Sequence, residues 1–397
     1  MARRSRMFSL SALTRAYQRN LKALVRATGP VRTPKKKVVK VVAPLRAAAV
    51  ASALAPAAPR SATSRARKPR VPAVRGEWLA GVAPGPAGAR RYHLFVPPGL
   101  VARPGETFPL LVMLHGCGQT GRDLAVSSRM NRLAARERFL VLYPEQERVA
   151  NAHGCWNWFE RRSGKAEAEA ATLLAAVDKV ASRHPVDLSR VAVAGLSAGA
   201  SMAVLMAATY PHRFCAVAMH SGVAPGTAES AATAMAAMGG RREAQLPEPV
   251  TGALPPVAAA PAGRARPAMA RPAKVARTTA AAAVAVPAVL PPLLLLHGDA
   301  DNVVSVRNAT ATAALWAEKL GARPGAARTL QRGQRHATQV TEFKARGRTV
   351  VALREVVGLA HAWSGGAADQ PYSDPVGPDA SALIWAFVAK QFDRRKV

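Results

Sequence analysis

Three short stretches hold the residues whose types and spacing suit chemistry. In "VAVAGLSAGAS" a serine, Ser197, stands between Gly195 and Gly199, after alternating small and β-branched apolar residues and before the helical run "ASMAVLMAATY". A strand, a G-x-S-x-G turn and a helix in that order are what a nucleophile elbow requires. The glycines allow a sharp turn, and the helix start aims free N–H groups and the positive dipole end at the serine oxygen. A serine hydroxyl is a weak nucleophile until a base takes its proton, so an orienting acid and a histidine must follow in the chain order Ser, Asp, His. Asp301, in "HGDADNVV", lies four positions past His297 and far enough into its loop to turn back toward a histidine. It is favoured over Asp299, which reads as a brace of the same turn. His361, in "EVVGLAHAWSGG", follows the last strand pattern and is the favoured base among nine histidines. His115, His220 and His297 sit at strand ends, where bracing loop backbone is the ordinary role. An oxyanion hole needs two backbone donors. The N–H groups of Ala198, next to the nucleophile, and Cys117, in "HGCGQT", are the candidates.

The elements that must position these residues follow from hydropathy. "FPLLVMLHG", "RFLVLYPE", "RVAVAGLS", "FCAVAMHSG" and "PPLLLLHGD" are continuous apolar runs of the kind buried in a parallel sheet, and "RRYHLFVPP" alternates. Helical patterns such as "EAEAATLLAAVDKVASRH" separate them, and the chain closes with a strand near "RTVVALREVVG" and a helix over "DASALIWAFVAKQF". Alternation of this kind predicts an α/β fold with a mostly parallel, doubly wound sheet.

Composition divides the chain. Residues 1–76 contain nineteen Lys or Arg and no Asp or Glu, so +33 less the arm's +19 leaves +14 for the rest. The arm is rich in Ala and Pro and buries too little apolar surface to fold alone. Its first thirty residues either form a basic amphipathic helix, with Phe8, Leu10, Leu13, Tyr17, Leu21, Leu24 and Val25 as its recurring apolar positions, or stay solvated. The expected organisation is therefore a disordered basic arm, 1–76, and a catalytic domain, 77–397, interrupted by an Ala/Pro-rich surface insertion at about 239–290. No apolar run is long enough for a transmembrane helix, and Arg15, Arg19 and Lys22 interrupt any Sec-type signal. Three cysteines, Cys117, Cys155 and Cys215, allow at most one bridge and lack metal-site spacing.

"LHGCGQT", "SRMNRLAARERFLVLYPEQ", "GCWNWF", "GLSAGASM", "MHSGV", "HGDADNVV" and "GLAHAWSGG", in this order, resemble the esterase family of polyhydroxybutyrate depolymerases and their feruloyl and acetylxylan esterase relatives. The resemblance covers roughly residues 77–395. It implies an α/β-hydrolase fold, carboxylic ester hydrolysis through an acyl-enzyme, no cofactor, no metal and an extracellular setting, with cytoplasmic or granule-associated placement as the alternative. On the matching positions it implies Ser197, Asp301 and His361 as triad, Cys117 and Ala198 as oxyanion donors, and a Cys117–Cys155 disulfide, against two buried thiols. Trp156, Trp158 and Trp363 flank motif residues and are expected either to line an acyl cleft or to pack.

Poly-3-hydroxybutyrate or its oligomers are the expected substrate, with plant-wall feruloyl or acetyl esters as the rival. A rival of another class is a binding protein whose arm engages an anionic surface or polymer granule. Phe8 and Tyr17 are nearly the only aromatics of the arm, so specific nucleic-acid binding is not expected.

Overall fold

The computed structural model describes residues 76–250 and 289–394. The basic arm through residue 75 with its expected amphipathic helix, the bulk of the expected insertion (251–288) and residues 395–397 lie outside the described residues.

The N-terminal half begins with β1 (Glu77–Ala83), β2 (Arg90–Val96) and β3 (Phe108–Leu114). Two short helices, α1 (Gly121–Ser128) and α2 (Met130–Glu137), lead to β4 (Leu140–Pro144). Next come α3 (Lys165–Ala181), β5 (Val186–Leu196), α4 (Ala198–Thr209), β6 (Ala216–His220) and α5 (Ala231–Met238). Beyond residue 288 run β7 (Leu293–Gly298), α6 (Arg307–Lys319), β8 (Arg323–Pro324) and β9 (Arg328–Leu330). The hairpin β10 (Thr338–Ala345) and β11 (Arg348–Val356) precedes the two-residue strands β12 (Trp363–Ser364) and β13 (Ser373–Asp374), and α7 (Ala380–Asp393) ends the fold.

The main sheet has the order β1-β2-β4-β3-β5-β6-β7-β11-β10-β8, with β9 also on β10. Its centre, from β4 to β11, is parallel, and antiparallel pairs form both wings. The expectation of a mostly parallel, doubly wound sheet holds. Side chains of a strand point alternately to opposite faces. Leu110, Val112 and Leu114 of β3 and Val191 and Val193 of β5 accordingly join the core shared with α3, α4 and α6. Leu111, Met113, Ala192 and Ala194 join the core shared with α1, α2 and α7. The central runs read as unbroken hydrophobes because both faces are covered. Helix α4 is buried at all twelve positions, and its sequence is apolar on every side for that reason.

The sheet is wound outward from β3. The chain passes from β3 to β4 on one side, then returns across β3 to β5 on the other. Between strands whose following connections diverge, a crevice opens beyond their carboxyl ends, and this is where open α/β sheets bind ligands. The loop His115–Gln119 and Ser197 both emerge there, with Leu114 paired to Gly195.

Candidate active site

Ser197 joins the end of β5 to the start of α4 with φ 56° and ψ −122°, a left-handed strain that few non-glycine residues adopt. Packing on both sides explains the flanking glycines. A Cβ on Gly195 would stand 2.4 Å from the Gly199 carbonyl carbon, and one on Gly199 would stand 2.1 Å from the Leu114 oxygen. The turn is held by Ser197 N–H donating to His220 O (2.9 Å).

The expected acid and base meet. His361 Nδ1 lies 2.7 Å from Asp301 Oδ2, and both residues are buried. Asp301 Oδ1 accepts Val303 N–H and Val304 N–H at 3.0 and 2.9 Å, so the carboxylate is fixed before it meets the imidazole. Burial alone would raise this carboxyl. Hydrogen bonds from His297 and His361 outweigh it and hold the group well below the usual carboxylate range. A carboxylate partner requires His361 Nδ1 to carry the proton, which leaves Nε2 as the basic nitrogen. Asp299, the alternative acid, accepts Gly358 N–H (2.7 Å) and so ties the loop leading to His361 onto the end of β7.

The other strand-end histidines brace backbone. His297 Nε2 donates to Val304 O (2.8 Å) and lies 3.4 Å from Asp301 Oδ2. His220 Nε2 accepts Ser364 N–H (3.1 Å), and its ring stacks on Trp363. His220 therefore links the serine turn, through its carbonyl, to the segment just past His361, through its ring. Burial lowers it to about 3, and the neighbouring His297 and His361 add to that. His115 Nε2 accepts Gln146 N–H (3.1 Å), so Nδ1 holds the proton and donates to Gly116 O (2.8 Å). Burial lowers His115 to about 4.

The loop after β3 approaches the serine closely. A Cβ on Gly116 would be 3.6 Å from Ser197 Cβ. Gly116 N–H is already taken by Gln119 Oε1 (2.9 Å), Gln119 N–H by Gly116 O, and Gly118 N–H by His153 O. Among the described residues no hydrogen bond is drawn from Cys117 N–H or Ala198 N–H. Cys117 is bonded to Cys155, with Cα atoms 4.2 Å apart, and Cys215 is buried outside the disulfide with its thiol donating to Val191 O (3.2 Å).

The tryptophans require a correction. Trp156 and Trp363 are fully buried and cannot form the exposed wall of an acyl cleft. Trp156 donates Nε1–H to His115 O (3.0 Å), and Trp363 donates to Ser381 Oγ (3.2 Å). They hold the walls in place from behind. Trp158 is also buried, edge-on to Phe159. A small pocket beside the loop after β3 is lined instead by Gly118, Gln119, Asp123, Gln370, Pro371 and Tyr372. Tyr372 has a positive φ of 53° and accepts Trp363 N–H, which fixes this wall to the segment after His361.

A buried polar hub escaped the sequence reading. Glu169 Oε1 accepts from Arg90 (2.8 Å) and Gln146 Nε2 (2.8 Å), and Oε2 accepts Asn157 N–H (2.6 Å). Gln146 Nε2 also donates to Cys155 O (2.8 Å). The hub thus pins the Cys155–Asn157 segment that carries the disulfide and Trp156. Its one sequence signal was a glutamate on the otherwise apolar face of "EAATLLAAV". No group of His, Cys, Asp and Glu suited to a metal ion occurs among the described residues.

Residues 90–270 match the family model described as Esterase PHB depolymerase. Over 128 residues the chain is 41% identical to poly(3-hydroxyalkanoate) depolymerase C of Paucimonas lemoignei, 32% of this chain and 30% of that protein. Over 146 residues it is 34% identical to feruloyl esterase B of Neurospora crassa, 36% of this chain and 48% of that protein. The chain thus spans less than half the length of either relative. The solved acetyl xylan esterase from Aspergillus awamori superposes with a TM-score of 0.50 at 19% identity, covering 72% of this chain and 94% of that one, and shows a shared fold.

Proposed function

We propose, because residues 90–270 match the family model described as Esterase PHB depolymerase, that this chain is a serine hydrolase of carboxylic esters. The observation that carries the reading is the buried 2.7 Å contact of His361 Nδ1 with Asp301 Oδ2, on the sheet edge where Ser197 is held at φ 56°. His361 Nε2 takes the Ser197 proton as Oγ attacks the ester carbonyl. Cys117 and Ala198 N–H groups receive the oxyanion, Asp301 steadies the imidazolium, and His361 returns the proton to the leaving alcohol. Water, activated by the same imidazole, then releases the acid and regenerates the serine.

Short hydroxyalkanoate esters, poly-3-hydroxybutyrate oligomers foremost, are the proposed substrates. The polar side chains of Gln119, Asp123 and Gln370 in the small pocket support an ester bearing hydroxyl or further ester oxygens. The same polarity favours, as a second reading, feruloyl or acetyl esters of hydroxylated plant-wall polymers. The Cys117–Cys155 disulfide supports an oxidising, extracellular compartment. The arm is proposed to act by charge on an anionic or granule surface, a contact that should weaken steeply with salt.

Hydrolysis of p-nitrophenyl butyrate should fall about 10⁴-fold or more in Ser197→Ala. Equal rates for wild type and variant would remove the proposal. Relative kcat/KM on 3-hydroxybutyrate trimer, methyl ferulate and acetylated xylan then selects between the two substrate readings.

A further inference from the structure

A cleft of about 310 Å³ lies away from the serine. It lies between the β10–β11 hairpin and the C-terminal part of α7. Strand β11 is parallel to β7, and its Val356 end, paired with Gly298, leads to His361. Arg348 starts the same strand, so the cleft opens toward the opposite, amino-terminal edge of the sheet from the catalytic loops.

Five cations line the cleft: Lys344, Arg348, Arg354, Lys390 and Arg394. One carboxylate, Glu342, lines it as well, and that group is engaged by Arg328 at 3.1 Å. Its floor is apolar, from Leu294, Ala352 and Phe387. Arg354 stands out because its Nε is buried without a hydrogen-bond partner. Burial draws its guanidinium below the ordinary value, and Arg328 and Arg332 add to this while Glu342 opposes. Like charges crowded at one concave surface repel, and an anion seated among them relieves that repulsion and supplies the missing acceptor. Three arginines present planar forks suited to the oxygens of a phosphate, and the excess of positive charge suits a dianion better than a monocarboxylate.

We infer that this cleft is a binding site for a phosphate-bearing ligand, its anionic oxygens drawn along the row of Arg348, Arg354 and Arg394 and the organic part lying on Leu294, Ala352 and Phe387. The phosphate is either that of a soluble organic phosphate or that of an anionic lipid headgroup. The site is independent of the ester-hydrolase reading and needs no covalent step.

The test uses the full chain at about 0.15 M NaCl, where the Debye length of about 8 Å screens diffuse attraction to the arm. Titration calorimetry with pyrophosphate should show a binding event weakened tenfold or more in Arg348→Gln/Arg354→Gln. Lys390→Gln/Arg394→Gln alters only exposed side chains and should weaken it similarly, which guards against misfolding of the half-buried Arg354 variant. Arg103→Gln/Arg162→Gln, outside the cleft, should bind as wild type. Sedimentation with phosphatidate-containing phosphatidylcholine vesicles identifies the lipid source if binding is lost in the cleft variants and kept in the control. The inference is overturned if cleft variants match wild type with both probes, if the control pair loses as much, or if 3-hydroxybutyrate competes as well as pyrophosphate.

Discussion

At the scale of single residues, the site depends on how a few polar atoms are satisfied. Asp301 receives two backbone N–H groups on one oxygen and two histidines on the other. Asp301→Asn would place an NH₂ group opposite His361 and select the wrong imidazole tautomer. Hydrolysis should drop by about 10⁴-fold in kcat while the thermal midpoint moves little by comparison. A kcat within tenfold of wild type would show that His361 takes its orientation elsewhere. Glu145 offers a pH-dependent counterpart. Its carboxyl accepts Gly121 N–H (2.9 Å) at the start of α1, and burial raises it from 4.5 to about 7. Between these values the folded state holds a proton that the unfolded chain has lost, so this group makes stability fall as pH rises. His115 and His220, lowered by burial, act in the opposite sense: their stabilisation is present above the unfolded histidine range and fades as pH falls. The Glu145 effect is therefore read as a difference. The Tm of Glu145→Gln minus that of wild type should grow from pH 4.5 to 7 and level off above, since glutamine keeps the acceptor without the charge. A difference independent of pH would contradict this.

Among elements, the β5–α4 corner and the loop after β3 are fitted to each other so closely that small changes should be felt. In Gly195→Ala the new methyl would meet the Gly199 backbone at 2.4 Å, a contact that relief by side-chain rotation cannot open. A loss of about 3 kcal/mol or more in urea unfolding is expected. The Cys117–Cys155 bridge closes 38 residues of separation and ties the loop after β3 to the segment carrying Trp156. Chain-entropy reasoning assigns such a loop about 3–4 kcal/mol, so Cys155→Ser, or wild type under dithiothreitol, should unfold at markedly lower denaturant. Unchanged midpoints in both would show that the hub at Glu169 alone secures the segment.

For the whole molecule, the buried Arg90–Glu169 pair joins β2 at one wing to α3 and, through Gln146 and Asn157, to the loops beside the serine. Removing one partner leaves a charge without compensation in the interior, at a cost of about 3–5 kcal/mol. Arg90→Met should therefore destabilise strongly, whereas Arg91→Met, at an exposed ion pair, should change the midpoint by about 1 kcal/mol or less. Similar losses for both would mean the hub is no more consequential than a surface contact. The same hub is where the sequence was least legible. The strands β3 to β7 and helices α3, α4 and α7 announce themselves by unbroken apolar runs and helical periodicity. Partners of Glu169 come from residues 90, 146 and 157, whose separation in the chain carries no periodic signal.

The sequence by itself determined the elbow at Ser197, the chain order of serine, acid and histidine candidates and the α/β layering, because each rests on local rules: turn sterics around a serine, hydrophobic period, and chain order of strand ends. It left open which acid reaches the histidine and whether the tryptophans face a substrate. Only the tertiary structure decided these. Register between β7 and β11 sends Asp299 to the backbone of Gly358 and Asp301 to His361. Packing of loops over the sheet edge buries Trp156 and Trp363, since a large ring beside a motif residue can as well support the site from behind as line it.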